Sequence, residues 1–333
     1  MKPPSADSPV RIGLVGLGPS GAHHLERLSF RDDLHVVIAC DEHAEPARLR
    51  SRSPNVLSQV GDLLGRSDVD WVLIAAPLAE RAKMALRALE AGKNVAIESP
   101  PCVEALQLQA MISAARDARR SLTVLPTRRE AVDFRAARQT TLAGTLGSIE
   151  AARIVSWAKA VPSDVASLSI SHGAPETTPG EGVFSFFAYQ FVDQLLQLVR
   201  QQPKSVFARI HHPPQTDPTA TAFFVSVAFT NCDALIDVNL HAGAALQTGW
   251  MLAGSRGSYC QQRYYLTEPS GEVCDTPIAS AEVPLLDLYA ELLHAARENS
   301  PQHDSATEAT LVMQIIDAAR RSARIGQLVE LAD

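Results

Sequence analysis

The sequence predicts an α/β chain in two parts. An N-terminal doubly wound parallel sheet with helices is followed by a C-terminal α+β domain whose open sheet is mostly antiparallel. Three observations predict it. Between residues 10 and 126, short apolar runs alternate with alanine- and leucine-rich stretches of helical period. A glycine cluster stands where the first apolar run meets the first helical stretch. From residue 127 to 333, β-rich segments dominate, separated by turn residues. At 333 residues, 46% hydrophobic and 20% charged, the chain can bury one or two sizeable cores, with two domains expected at this length, and residues 1–9 read as a loose tail.

Val10-Arg11-Ile12-Gly13-Leu14-Val15 is short and apolar and ends at glycine, which suits a buried parallel strand. The turn after it reads Gly16-Leu17-Gly18-Pro19-Ser20-Gly21. Gly16 permits a tight turn, Gly18 lets backbone approach a pyrophosphate, and Gly21 lets the next helix pack closely on the strand. The unpaired N–H groups and dipole of that helix then face the phosphates, the arrangement of a Rossmann domain. Pro19 removes one N–H from the loop but is tolerated in a first helical turn, so it alters phosphate binding in detail without abolishing it.

Leu34 to Ala39 forms a second strand, ending at Cys40-Asp41-Glu42. Asp41 stands twenty residues after Gly21, where an acidic side chain accepts hydrogen bonds from ribose hydroxyls. The acidic pair would repel a 2'-phosphate, which predicts NAD rather than NADP, with Arg48 and Arg50 close by in sequence as a counterweight. Asp70 to Pro77 reads as another buried strand, and a helix from about Ala79 to Ala91 is stopped by Gly92. Asn94 to Ile97 begins the next strand and runs into Glu98-Ser99-Pro100. Val103 to Arg119 is helical in period, and Leu122 to Leu125 is a strand. Ala76, Pro77 and Glu98, at the ends of these strands, join the glycine loop and Asp41 as candidate cofactor contacts.

In the second part, Ile149 to Trp157, Ser205 to Ile210, Thr221 to Thr230 and Ala234 to His241 are β-rich, with Asn231-Cys232-Asp233 as a hairpin turn. Pro162 to Gly182 is rich in Ser, Pro, Thr and Gly and reads as a surface loop or a lid. It precedes an apolar helix from about Phe184 to Val199.

The balance of charge limits the partners. A net charge of -7 and a pI near 5.8 argue against a nucleic-acid face, which needs clustered Lys and Arg. No apolar run has the length of a membrane span, and the first nine residues lack the apolar core of a secretory signal. The five cysteines, Cys40, Cys102, Cys232, Cys260 and Cys274, form no Cys-x-x-Cys pair. Neither a disulfide framework nor a metal site is expected, and a reducing cytoplasm fits.

The order of these landmarks resembles the Gfo/Idh/MocA family (glucose-fructose oxidoreductase, inositol dehydrogenase, MocA) of NAD(P)-dependent oxidoreductases. Besides the glycine loop, the resemblance rests on His24 in the first helix and on Ala91-Gly92-Lys93-Asn94-Val95. Ala143-Gly144-Thr145-Leu146-Gly147 and the closing helix around Ala319 to Gly326 complete it. It implies a dehydrogenase acting on a sugar, polyol or cyclitol. It further implies homo-oligomer contacts, dimer or tetramer, through the C-terminal sheet, and leaves the last helix able to pack back on the first domain.

The resemblance also implies two proton carriers, the lysine of a Glu-Lys-Pro motif and the histidine of an Asp-x-Gly-x-His-x-x-Asp motif. Here Glu98-Ser99-Pro100 puts Ser99 in place of the lysine. Phe186 to Asp193 puts Gln190 in place of the histidine and keeps only Asp193. Hydride transfer at an alcohol carbon needs a titratable group nearby. Tyr189, Asp193 and His172 are the catalytic candidates, while Ser99, Arg129, Gln190 and Asp193 are the candidate substrate contacts. Three readings stay open: an oxidoreductase that borrows a different group, a catalytically degenerate NAD-binding sensor or assembly partner, and a structural protein in which the loop is a relic.

Overall fold

The computed structural model describes residues 8–41, 56–157, 181–211, 222–240, 246–267, 270, 272–278, 283–298 and 300–331. In chain order it begins with β1 (Val10–Val15), α1 (Pro19–Ser29), β2 (Leu34–Cys40), β3 (Val56–Leu57), α2 (Val60–Leu64) and β4 (Trp71–Ile74). There follow α3 (Leu78–Glu90), β5 (Asn94–Glu98), α4 (Ala105–Ala118), β6 (Leu122–Leu125), a 3-10 turn at Thr127–Glu130, α5 (Val132–Leu142), β7 (Ile149–Trp157) and α6 (Glu181–Val199). The remainder is β8 (Pro203–His211), β9 (Ala222–Phe229), β10 (Asp233–Asn239), β11 (Leu246–Gly254), β12 (Gly257–Cys260), β13 (Arg263–Thr267) and β14 (Val273–Pro277). The chain closes with α7 (Ala290–Glu298), α8 (Asp304–Ile325) and β15 (Val329–Glu330). The described residues fall into two compact units, one made of those up to Leu125 with Leu288–Leu311, the other of those from Pro126 to Asp287 and from Val312 onward.

The first unit is a six-stranded sheet in the order β3-β2-β1-β4-β5-β6. Every neighbouring pair is parallel. All four residues of β4 and all four of β6 are buried, the mark of strands covered on both faces. Strand order reverses between β1 and β4, and ligands of such sheets bind beyond the carboxyl ends of the strands at that switch point. The glycine turn sits there, with Gly16 N–H donating to the Cys40 carbonyl at 2.8 Å and Ala75 N–H to that of Val15 at 2.8 Å.

A C-terminal segment completes this unit. Tyr289, Leu292, Leu293 and Ala295 share one core with Ile12, Leu14, Trp71 and Leu73. The outer edge of β6 is covered as well: Leu122 N–H reaches the Gln302 carbonyl at 3.1 Å and Val124 N–H reaches Ser305 Oγ at 2.8 Å. An edge strand would otherwise present unpaired backbone donors.

The second unit is a nine-stranded sheet in the order β14-β13-β12-β11-β7-β10-β9-β8-β15. Its pairings are antiparallel except β7 with β10, which are parallel. Residues alternate across the sheet as the pleat requires: Phe223, Val225, Val227 and Phe229 of β9 are buried, while Phe224, Ser226 and Ala228 are half-buried. The helix α6 contributes Phe184, whose ring meets that of Phe223 edge-on at 5.0 Å. The expected hairpin at Asn231-Cys232-Asp233 joins β9 to β10, closed by Phe229 N–H on the Cys232 carbonyl at 2.8 Å. The four strands β11 to β14 carry Gly, Gln, Arg and Tyr in place of clean alternation, and sequence reading did not find them.

Candidate cofactor site

The three glycines of the loop differ in what surrounds them. Gly16 has φ +95, and a Cβ there would stand 2.5 Å from the Ala75 carbonyl oxygen. At Gly21 a Cβ would overlap the Gly16 carbonyl oxygen outright, so α1 lies as close to β1 as backbone permits. Gly18 is the opposite case, with nothing within 4 Å of a Cβ. Two glycines therefore serve the packing of the turn, and the third faces open space where a ligand's phosphates can come close to backbone. Pro19 opens α1 and Gly18 is its N-cap. The first-turn N–H groups of Ser20 and Gly21 have no helical partner by construction, as in any α-helix. That set of donors fits a dinucleotide's pyrophosphate.

Asp41 follows β2 directly. Its Oδ2 accepts from Leu17 N–H at 2.8 Å, and its own N–H donates to the Leu57 carbonyl at 3.1 Å. The loop and the acidic residue that sequence spacing paired are thus joined by a hydrogen bond.

Glu98, at the end of β5, lies behind the loop and is 4% exposed. Its Oε1 accepts from Ser20 Oγ and is 2.9 Å from His24 Nε2, while Oε2 accepts from Arg81 at 2.8 Å. The other ring nitrogen, His24 Nδ1, is 2.6 Å from the Tyr289 hydroxyl. An ionised carboxylate only accepts, so Nε2–H donates to Glu98, while Nδ1 and the Tyr289 hydroxyl share a hydrogen bond.

Arg81, 2% exposed, also donates from Nε to the Ala76 carbonyl at 2.8 Å, and from one terminal nitrogen to the carbonyls of Glu98 at 3.1 Å and Pro100 at 2.7 Å. Ser99 is buried between those two carbonyls, and the Ser99–Pro100 peptide is cis. Pro77 is the N-cap residue of α3. Arg81, His24 and Tyr289 were not among the sequence-predicted site residues. The one signal available was a charged residue on the otherwise apolar face Leu78, Ala82, Ala85 and Leu89 of α3.

Burial pushes the Glu98 carboxyl up, but the hydrogen bond from His24 and the charge of Arg81 outweigh it and hold the group at about 2, below its ordinary 4.5. A group depressed in the folded state contributes stability that is fully present above its unfolded value and lost as pH falls through the folded one. The unfolding temperature should therefore fall between pH 4.5 and about 2 more steeply in the unaltered protein than in Glu98→Gln. Thermal melts across that range measure it, and equal slopes would contradict the assignment.

In the second unit, Asp193 and Gln190 lie on α6 at helical i, i+3 spacing and are 3% and 2% exposed. Arg129 grips Asp193 with two hydrogen bonds of 2.7 and 2.6 Å. Tyr189 is 1% exposed. The next residue of α6, Gln194, donates to the Arg128 carbonyl at 2.8 Å and accepts from Trp250 Nε1 at 2.8 Å, which ties the 3-10 turn bearing Arg129 to β11. Asp133, raised by burial, accepts from Trp250 N–H at 2.9 Å and from the Tyr259 hydroxyl at 3.1 Å. The structure thus brings together Gly16 to Gly21, Asp41, Ala76, Pro77, Glu98 and Ser99 in one unit, and Arg129, Tyr189, Gln190 and Asp193 in the other. His172, the segment Pro162 to Gly180, Glu42, Arg48 and Arg50 lie outside the described residues.

Cys102 is buried, with Sγ against the Glu104 carbonyl at 3.2 Å. Lys93 is spent on structure, its Nζ donating to the carbonyls of Arg66 at 2.5 Å and Val69 at 2.9 Å. No helix among the described residues is long and apolar enough to cross a membrane.

Residues 10–125 match the model of an oxidoreductase family with an NAD-binding Rossmann fold, Gfo/Idh/MocA. A glycosyl hydrolase family 109 protein of Shewanella sp. (strain W3-18-1) is 31% identical over 103 residues, 27% of this chain and 22% of that protein, so the match spans less than a quarter of the relative's length. Among solved structures, an NAD-binding protein from Listeria innocua superposes with a TM-score of 0.82 at 22% identity over 96% of both chains. GenD2 from gentamicin A biosynthesis, in complex with NAD, superposes with a TM-score of 0.78 at 18% identity over 100% of this chain and 99% of that one. The two structures share this chain's fold.

Proposed function

We propose that this chain, whose residues 10–125 match the Gfo/Idh/MocA oxidoreductase family, is an NAD-dependent dehydrogenase of a sugar, polyol or cyclitol. The observation that carries this reading is the glycine turn, closed at Gly16 and Gly21 and open at Gly18, with Asp41 bonded to it. When bound, the cofactor supplies a hydride acceptor or donor. Backbone N–H groups of Gly18, Ser20 and Gly21 hold its pyrophosphate, and Asp41 takes the ribose hydroxyls and disfavours a 2'-phosphate. The name of the family 109 relative, a glycosyl hydrolase, supports a carbohydrate as the substrate class.

As candidate substrate contacts, Ser99 of the first unit and Gln190 of the second are each groups that can orient a hydroxyl without carrying a proton. Asp193 keeps Arg129 in place, and Arg129 at 20% exposure is the charged group that can meet a substrate. A second reading, cofactor binding without turnover, is not favoured by the oxidoreductase family match. A homo-oligomer contact is proposed on the half-buried face of the nine-stranded sheet, where Phe207, Phe224 and Leu235 lie. A cytoplasmic setting is part of this proposal.

Fluorescence titration with NADH, followed by reduced-nicotinamide absorbance over a panel of sugars, polyols and their keto forms, tests both readings. Asp41→Ala should weaken NADH about tenfold or more and lessen discrimination against NADPH. Unchanged affinity would remove the ribose assignment.

A further inference from the structure

We propose that the buried Arg81–Glu98 pair is a positioning device for the cofactor, fixing from behind both the first turn of α1 at Ser20 and the backbone on either side of Ser99. The proposal rests on the reading of the glycine loop as a dinucleotide site. It assigns to Glu98 an indirect part in cofactor binding.

The geometry is that of a hub. One carboxylate oxygen of Glu98 takes Ser20 Oγ, from the loop, and His24 Nε2, one helical turn further along α1. The other oxygen takes Arg81. Three further hydrogen bonds from Arg81 reach the carbonyls of Ala76 after β4, and of Glu98 and Pro100 around Ser99. A planar guanidinium offers five donors in fixed directions, so these four contacts hold the ends of β4 and β5 in one register. Tyr289 closes the network from the C-terminal segment through its hydrogen bond with His24 Nδ1, which orients the ring with Nε2 toward Glu98.

One consequence concerns the donors that meet phosphate. Ser20 spends its hydroxyl proton on Glu98, Pro19 has no N–H, and Leu17 N–H is spent on Asp41. Of the loop's groups, the backbone N–H of Gly18, Ser20 and Gly21 remain for the pyrophosphate. Ser20 then acts through the placing of its own backbone and not as a side-chain ligand.

Six forms of the full chain test this: unaltered, Ser20→Ala, Glu98→Gln, Ser20→Ala combined with Glu98→Gln, Arg81→Met, and the double variant Arg81→Met with Glu98→Gln. Each is titrated with NADH and melted without it. Replacing both charges together leaves no lone charge buried, so the double variant should be clearly more stable than Arg81→Met alone. Its NADH affinity should nonetheless stay about tenfold or more below that of the unaltered protein. Ser20→Ala, in a half-buried position of the first turn of α1 that tolerates alanine, should weaken NADH several-fold, and should add almost nothing when combined with Glu98→Gln.

Recovery of NADH affinity in step with stability in the double variant would show a merely structural pair and overturn the proposal. Equal losses from Ser20→Ala with and without Glu98→Gln would place the hydroxyl on the cofactor itself and overturn it too. Should the double variant not fold, the Ser20→Ala and Glu98→Gln cycle decides alone. Absence of NADH binding by the unaltered protein would overturn the dinucleotide reading, and the proposal with it.

Discussion

Gly21→Ala is expected to abolish NADH binding and lower the unfolding temperature, whereas Gly18→Ala should leave folding unchanged and weaken only the cofactor. The contrast follows from what a methyl group would meet. At Gly21 it would overlap the Gly16 carbonyl oxygen and lie 3.6 Å from Ala75 Cβ. The obstacle is backbone at the tightest point of the turn, so α1 must move off β1 or the turn must open. Overpacking of that kind costs about 1–3 kcal/mol. A shift of about 1 Å in the donors at the helix end is enough to cost on the order of a hundredfold in a positioned interaction.

Gly18 has φ -60 and ψ -173, a conformation any residue adopts, and open space around its Cβ position. Alanine there is harmless to the fold but fills the approach path of the pyrophosphate. Thermal melts and NADH titrations of both variants measure the contrast. If Gly18→Ala bound NADH as tightly as the unaltered protein, the open side of the turn would not be the phosphate side.

The residues that made this turn legible are local. Gly16, Gly18 and Gly21 lie within one turn of chain, and Asp41 comes one strand later, so spacing alone carries the inference. Buried strands such as Trp71–Ile74 announce themselves by unbroken apolar runs. The network behind the loop was not legible, because its members are far apart: His24 and Tyr289 are 265 residues apart in sequence, and Ser20 and Glu98 are 78 apart. Nor does a lone arginine on a helix say whether it is solvated or buried; Arg81 looks like any surface cation until β5 is laid beside α3.

The same limit hid Leu288–Leu311, whose apolar face completes a core begun almost 280 residues earlier. In the second unit, alternation made β9 and β10 readable. The register of β11 instead depends on Gly249 at φ +64 and on Asp133 meeting Trp250 N–H, contacts that no local pattern encodes.

Arg81→Met should be the most destabilising single change at the site, and should weaken its response to acid. The substitution keeps the length and apolar stem of the side chain but removes four hydrogen bonds, leaving the Ala76, Glu98 and Pro100 carbonyls without their donor and a carboxylate buried without its cation. Breaking a buried pair by removing one partner costs about 3–5 kcal/mol. For a chain of this size that lowers the unfolding temperature by on the order of 10 °C.

The pH dependence separates this mechanism from simple loss of packing. In the unaltered protein Glu98 is held at about 2, so lowering the pH from neutral toward 5 costs nothing through this group. Without the charge of Arg81, burial, the largest influence on Glu98, is opposed only by His24 and Ser20, so the carboxyl in the folded state moves upward from about 2. The stability that acid removes through Glu98 shrinks as the folded value approaches the unfolded one. Between pH 4.5 and about 2, Arg81→Met should therefore lose less of its unfolding temperature than the unaltered protein does. Adding Glu98→Gln should remove what acid dependence remains through this group, because no proton is left to take up. An Arg81→Met variant with the same acid slope as the unaltered protein would show that the cost lies in the three carbonyls and not in the stranded charge.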